Sequence, residues 1–276
     1  MRYYLSVALA VISLSPAAPA SDMASADLQP QTIQAWDNYA RAVETRVERE
    51  LRTTTPFLVL ERLPQAKQQE AAASLKSGAV FITQVPGPSL LGPKPKIRDG
   101  LVHHWLGVVR VPGVRVDDVL AFVQRYDESP RNFDDVVASN FTRNGDEFEV
   151  FLKLRRQKVV TVFYNTTHRV VYRRLGPQHA ASRSVTERIA ELEDAGKPTE
   201  REKPVGHDSG YLWRLNSYWR FVETADGVTV ECESISLSRD IPFGFGWILG
   251  GVVDGIARES VEQALGSIKK GVKQAG

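Results

Sequence analysis

Residues 211–237 read YLWRLNSYWRFVETADGVTVECESISL, and the fold is decided by how this stretch pairs with itself and with the residues C-terminal to it. Its first arm, Tyr211 to Val222, is the most aromatic run in the chain and suits a pleated, half-buried surface. Asp226-Gly227 is a tight-turn signal, and Val228 to Leu237 is the expected returning strand. Alternation divides the first arm into two faces. Tyr211, Trp213, Leu215, Trp219 and Phe221, with Ser217 as the single polar member, form the expected inner face; Leu212, Arg214, Asn216, Tyr218 and Arg220 form the other. Arg239-Asp240-Ile241-Pro242 then halts the sheet. From Trp247 the spacing turns helical, through Leu249, Val252, Val253, Ile256, Ser260, Val261, Ala264, Leu265, Ile268 and Val272. A strand pair with one apolar face and a long helix with one apolar stripe must bury each other.

Working back from this core, Leu101 to Val111 form a β-run stopped by Pro112-Gly113, and Val116, Val119, Leu120 and Val123 carry a helix to about Tyr126. Val136 to Phe141 begin a further series of strands. Asn144-Gly145 marks a hairpin, after which Phe148, Val150, Leu152 and Leu154 alternate with charged residues. Val159 to Arg173 repeat the alternation. Ser184-Val-Thr-Glu187 reads as a capping box opening a helix to Glu193, with a strand as the alternative given Val185 and Ile189. Asp194 to Gly210 reads as a polar loop. Such alternation predicts an antiparallel sheet with one face on the core and the other in water. The strands outnumber the helices that could cover them, so the sheet should curl around the last helix and leave space at its ends.

Ahead of this unit lies an N-terminal region. Ile33, Trp36, Ala40, Val43, Val47 and Leu51 predict an amphipathic helix over 30–52, ended by Thr53-Thr-Thr-Pro56. Phe57 to Leu60 and Ala79 to Val85 read as short strands, and Gln65 to Ser77 as a helix stopped at Gly78. Pro86, Pro88, Pro93 and Pro95 then break regular structure. At the start, Met1-Arg2, the apolar stretch Tyr3 to Leu14 and Ala18-Pro19-Ala20 have the form of a cleavable signal peptide, with cleavage near Ala20-Ser21. The expected divisions are 1–20 signal peptide, 21–98 N-terminal appendage (helix, short strands, Pro-rich linker) and 99–276 ligand-binding domain. The expected location is secreted or periplasmic.

The strand at 101–111, the helix opening Val116-Asp-Asp-Val119, Tyr126-Asp127-Glu-Ser-Pro130, the strand near Val136-Val-Ala-Ser139 and the final strand and helix together resemble the START-like (SRPBCC, Bet v 1-like helix-grip) superfamily over roughly residues 100–273. That resemblance implies an α+β fold, with a curved antiparallel sheet wrapped around a long C-terminal helix. It also implies a cavity between them for lipids, sterols, polyketides or similar molecules. Residues 28–98 have no counterpart in the basic fold, and the stretch between Leu175 and Gly210 is longer than its usual connection.

Lys+Arg 35 against Asp+Glu 33 gives a nearly balanced chain and no concentrated basic surface, which argues against nucleic acid as a partner. The local basic run Lys153, Arg155, Arg156, Lys158 reads as a solvated strand edge. Cys232 is the only cysteine, so stability must come from the core, and on an alternating strand it reads as a small buried thiol. The histidines lack HxH or HExxH spacing, and His103 and His104 point to opposite faces of a strand; no metal and no cofactor is expected. No GxSxG, P-loop or GxGxxG fingerprint occurs.

The candidate ligand-binding residues are Tyr211, Trp213, Leu215, Ser217, Trp219 and Phe221 on the strand, and Phe243, Phe245, Trp247, Leu249, Val253 and Ile256 at and beyond the Gly/aromatic corner. For the strand, a filled core and a cavity wall are the two readings. For the corner, they are a lid, a plain bend and a transient contact with a membrane surface. The expected function is an exported carrier of a small apolar ligand. A cyclase- or hydrolase-type enzyme acting in the same cavity is the alternative, as is an interaction protein using the helix at 30–52; no protein partner is named by the sequence.

Overall fold

A computed structural model describes residues 28–53, 55–90, 95–157, 161–240 and 246–275, with side chains of the last helix described over 254–272. The chain runs α1 (Pro30–Glu50), α2 (Gln65–Ser77), β1 (Phe81–Gln84), β2 (Gly100–Pro112), α3 (Val116–Val123), the single-turn α4 (Ser129–Asn132), β3 (Val136–Asn144), β4 (Glu147–Gln157), β5 (Thr161–Arg174), β6 (His179–Glu193), β7 (Arg201–Glu202), β8 (Arg214–Thr224), β9 (Gly227–Arg239) and α5 (Gly246–Ala275). The strands form one nine-stranded antiparallel sheet in the order β1-β2-β9-β8-β6-β5-β4-β3, with β7 paired to β6. Asp226-Gly227 and Asn144-Gly145 make the hairpins their sequences predict, β8 to β9 and β3 to β4. Gly78 ends α2 in the left-handed conformation at φ 77°.

The helix α5 lies across β2 and β9 on one face of the sheet. Val261, Leu265, Ile268 and Val272 pack there against Val109, Val111, Val230 and Cys232. Two close approaches fix its seat. A Cβ at Gly107 of β2 would collide with Leu265, Val261 and Ile82, and one at Gly271 of α5 would collide with the Phe122 ring of α3. Near its beginning α5 is tied down by Asp254, whose Oδ1 accepts from Trp105 Nε1 at 3.2 Å and lies 3.1 Å from His103 Nδ1. The strands β3 to β6 continue the sheet beyond these, with register shifts between β3 and β4 at 136/138 and between β5 and β6 at 167/168 that bend it.

Four expectations are corrected. The face of the sheet turned away from α5 is covered, not wet, over β2, β9 and β8. Helix α1 lies on it with Trp36, Tyr39, Val43 and Val47 against Val102, Ile235 and Leu237, while Phe57 to Leu63 pack on Leu106 and Val108. Phe57 to Leu60 are no strand, and a 3₁₀ turn follows at Leu60–Arg62. Carboxylates take their backbone donors, Glu61 those of Phe57 and Leu58 (2.7 and 2.8 Å) and Glu231 those of Val59 and Leu60 (2.8 and 2.9 Å). The segment 184–193 is not a helix but part of β6, paired with β5 along most of its length, with β8 at Ser184 and Val185 and with β7 at Leu192 and Glu193. The basic run at 153–156 is no edge either, since β4 lies between β3 and β5; Lys153 pairs with Glu200 at 2.6 Å and Arg156 pairs with Asp135.

Candidate functional site

Between the sheet and α5 lies a cavity of about 230 Å³. A single water needs only about 10–15 Å³ of such space, so there is room for an organic molecule. One wall is Val150, Leu152, Leu154 and Val170 of β4 and β5, and the opposite one is Val261, Ala264 and Ile268 of α5. Val123, Tyr126 and Phe133 of the α3–α4 region close a third side. The roof is formed by β6, β8 and β9, where Leu215, Trp219, Phe221 and Cys232 face inward.

A polar band crosses this apolar lining. Ser184, Ser217 and Ser234 stand side by side on β6, β8 and β9 because they are register partners, and Ser182 lies one pleat away. His168 of β5 ends the band and is buried, at 6% exposure. Thr166 Oγ1 donates to the Leu152 carbonyl at 3.0 Å, so it accepts from His168 Nε2 at 2.9 Å; this leaves Nδ1 as the acceptor for the Ser184 hydroxyl at 3.4 Å. Burial, aided by the charge on Arg156, holds the His168 pKa down at about 4, so the ring is neutral at physiological pH. Deeper on the β5 side, the Tyr126 and Tyr172 hydroxyls meet at 2.8 Å, and burial raises both above the usual phenol range. At the rim the Arg156–Asp135 ion pair and Ser260 are shared with an adjoining polar depression that includes Glu259 and Gln263.

Four of the sequence-derived candidates, Leu215, Ser217, Trp219 and Phe221, line the cavity. Tyr211 and Trp213 precede β8 and do not. Trp213 turns to the α1 side and donates to Asp208 at 2.9 Å, and the Tyr211 ring is covered by the Arg239 guanidinium. Ile256 borders the polar depression instead. Phe243 and Phe245 lie outside the described residues, as do the side chains of Trp247, Leu249 and Val253. His168, Ser182, Ser184, Arg156 and the tyrosine pair escaped the sequence reading. Reading 184–193 as a helix took Ser184 off the face it shares with Ser182, whereas alternation over 180–185 would have aligned the two.

On the opposite face, beneath α1, is a buried ionic network. Arg46 binds Glu50 at 2.9 Å and also Glu233, and Glu233 accepts from His104 Nε2 at 2.7 Å. Arg220 reaches Glu50 at 2.6 Å and the Phe57 carbonyl at 2.6 Å, with Glu231 at 3.9 Å from its Nε. Tyr39 OH closes the chain on His104 Nδ1 at 2.8 Å. Burial alone would raise both acids. For Glu233 the Arg46 charge and the His104 hydrogen bond reverse this and hold the pKa at about 2, while for Glu231 burial prevails over Arg220 and two backbone N–H donors and carries it to about 7. Nothing in this network faces the cavity; it bonds α1 and the 57–63 segment to the sheet.

The chain can hold a small apolar molecule between an antiparallel sheet and its C-terminal helix, which is a helix-grip arrangement. Solved structures of similar arrangement include a fragment of a STAR-related lipid transfer protein from Xanthomonas axonopodis, at 17% identity and TM-score 0.45 over 65% of this chain and 97% of that one. Human STARD10 matches at 7% identity and TM-score 0.45, over 76% and 82% of the two chains. The Zhui aromatase/cyclase from a Streptomyces species matches at 14% identity and TM-score 0.39, over 63% and 95%. No protein-family model matches the chain, and no curated protein matches it in sequence. Identities this low say nothing of what this chain binds, which rests on its own cavity.

Proposed function

We propose that this protein is an exported carrier of an apolar, lipid- or polyketide-like molecule. The observation that supports this is the cavity of about 230 Å³, walled largely by aliphatic and aromatic side chains of β3 to β6, β8, β9, the α3–α4 region and α5. Export rests on the signal-like pattern of residues 1–20, which lie outside the described residues. Purified mature protein should carry a bound apolar molecule, detected by native mass spectrometry and organic extraction, and its N-terminus should be Ser21. Ala264→Phe places a ring in the cavity and should abolish that occupancy. Protein that yields no bound molecule and takes up none from lipid vesicles would sink the reading.

A second reading, an enzyme acting in the same cavity, is supported by the convergence of His168 and Ser184 at 3.4 Å. A ring whose pKa lies near 4 is a weak base at neutral pH, however, and gives little help in removing a serine proton. The interaction reading loses its surface, because the apolar stripe of α1 is spent on the chain's own sheet.

A further inference from the structure

The serine band carries more than the apolar walls do. Ser184 spends its proton on His168, which leaves its oxygen as an acceptor toward the cavity. Ser217 Oγ accepts from Trp219 Nε1 at 3.0 Å and keeps its own O–H to donate. The Ser182 and Ser234 hydroxyls make no hydrogen bond to the described residues, although both residues line the cavity. A sheet that needed only an apolar roof would place alanine or valine at these register partners, as it does at Ala180 and Val230. Once an apolar ligand displaces water from these hydroxyls, they cost free energy unless the ligand itself satisfies them. Among the described residues no net charge is available to a ligand in this space: His168 is neutral, and Arg156 is already paired with Asp135. An unpaired carboxylate or ammonium buried against the band would therefore be strongly disfavoured.

Resting on the carrier reading above, we infer that the cargo is an uncharged apolar molecule bearing a hydroxyl or carbonyl oxygen, and that Ser184, Ser217 and Ser234 form the site that reads this oxygen. A hydroxyl fits best, since the band offers donors at Ser217 and Ser234 and an acceptor at Ser184.

The test measures displacement of the neutral dye Nile red from the full mature chain by dodecane, dodecanol and dodecanoate at neutral pH, with native mass spectrometry to confirm occupancy. Each is compared in the parent chain and in a Ser184→Ala, Ser217→Ala, Ser234→Ala variant. The variant should lose about tenfold in affinity for dodecanol while binding dodecane as well as the parent does. Dodecanoate should bind more weakly than dodecanol. Should the triple variant fail to fold, Ser234→Ala alone disturbs no hydrogen bond of the described residues and should lose about threefold for dodecanol only. Equal losses for dodecanol and dodecane, no loss for either, or tighter binding of dodecanoate than of dodecanol would overturn the inference while leaving the carrier reading intact. If none of the three displaces the dye, the carrier reading itself fails.

Discussion

His168 shows how a single buried ring links site to stability. Its pKa is about 4 in the folded chain against an ordinary 6.5, so below pH 6.5 the unfolded chain takes up a proton that the folded chain refuses. Stability from this group is therefore whole above pH 6.5, is lost as pH falls toward 4, and changes no further below that. The loss amounts to about 3 kcal/mol. Urea denaturation of His168→Gln across this window should show an acid-dependent loss smaller than the parent's by about that amount. Arg46 presents a different case, since it bridges Glu50 and Glu233 at 5% exposure or less. Removing one member of such a network strands buried charge, so Arg46→Met should destabilise by about 3–5 kcal/mol in the same assay. Adding Glu233→Gln to that variant should restore part of the loss.

Helices and hairpins were legible where one physical rule governed each of them. The stripe from Trp36 to Val47, the stop at Gly78, the two Gly-containing hairpin turns and the terminal helix all follow from local periodicity and backbone freedom. Readings failed where a distant partner outweighed the local preference. Ser184-Val-Thr-Glu187 has the spacing of a helix cap, but two neighbouring strands offer its backbone more than a helix could. Phe57 to Leu60 look like a strand, yet Glu231 from β9 captures the amides of Val59 and Leu60. Helix α1 belongs to the second layer of the sheet, where it buries apolar side chains and also satisfies charged ones. A chain that begins at Thr53 should accordingly lose cooperative thermal unfolding and bind a hydrophobic dye. Retention of a sharp melting transition in that truncated chain would show that β2, β9 and β8 stand without the cover.

At the scale of the whole molecule, one sheet serves two unlike interiors. The α5 side is apolar with a hydrogen-bonding band and a cavity, and the α1 side is an ionic network within an apolar frame. A ligand that enters only the folded cavity stabilises by mass action, so a saturating neutral apolar alcohol should raise the melting temperature, by about 2.7 kcal/mol of stability at a concentration of 100 times its dissociation constant. Differential scanning fluorimetry checks this, and Ala264→Phe should erase the shift. Alternation and helical periodicity in the amino-acid sequence were enough to determine an antiparallel sheet, its closing helix and the inward direction of Leu215, Ser217, Trp219 and Phe221, because each depends on neighbours a few residues apart. Only the tertiary structure decided that Arg220, Glu231, Glu233 and His104 are buried, and that serines from three strands share one roof. A charged residue on an alternating strand has the same sequence pattern whether it meets water or an opposite charge far along the chain, as Glu233 meets Arg46 (|i−j| = 187). Which of the two it meets is settled by the packing of α1.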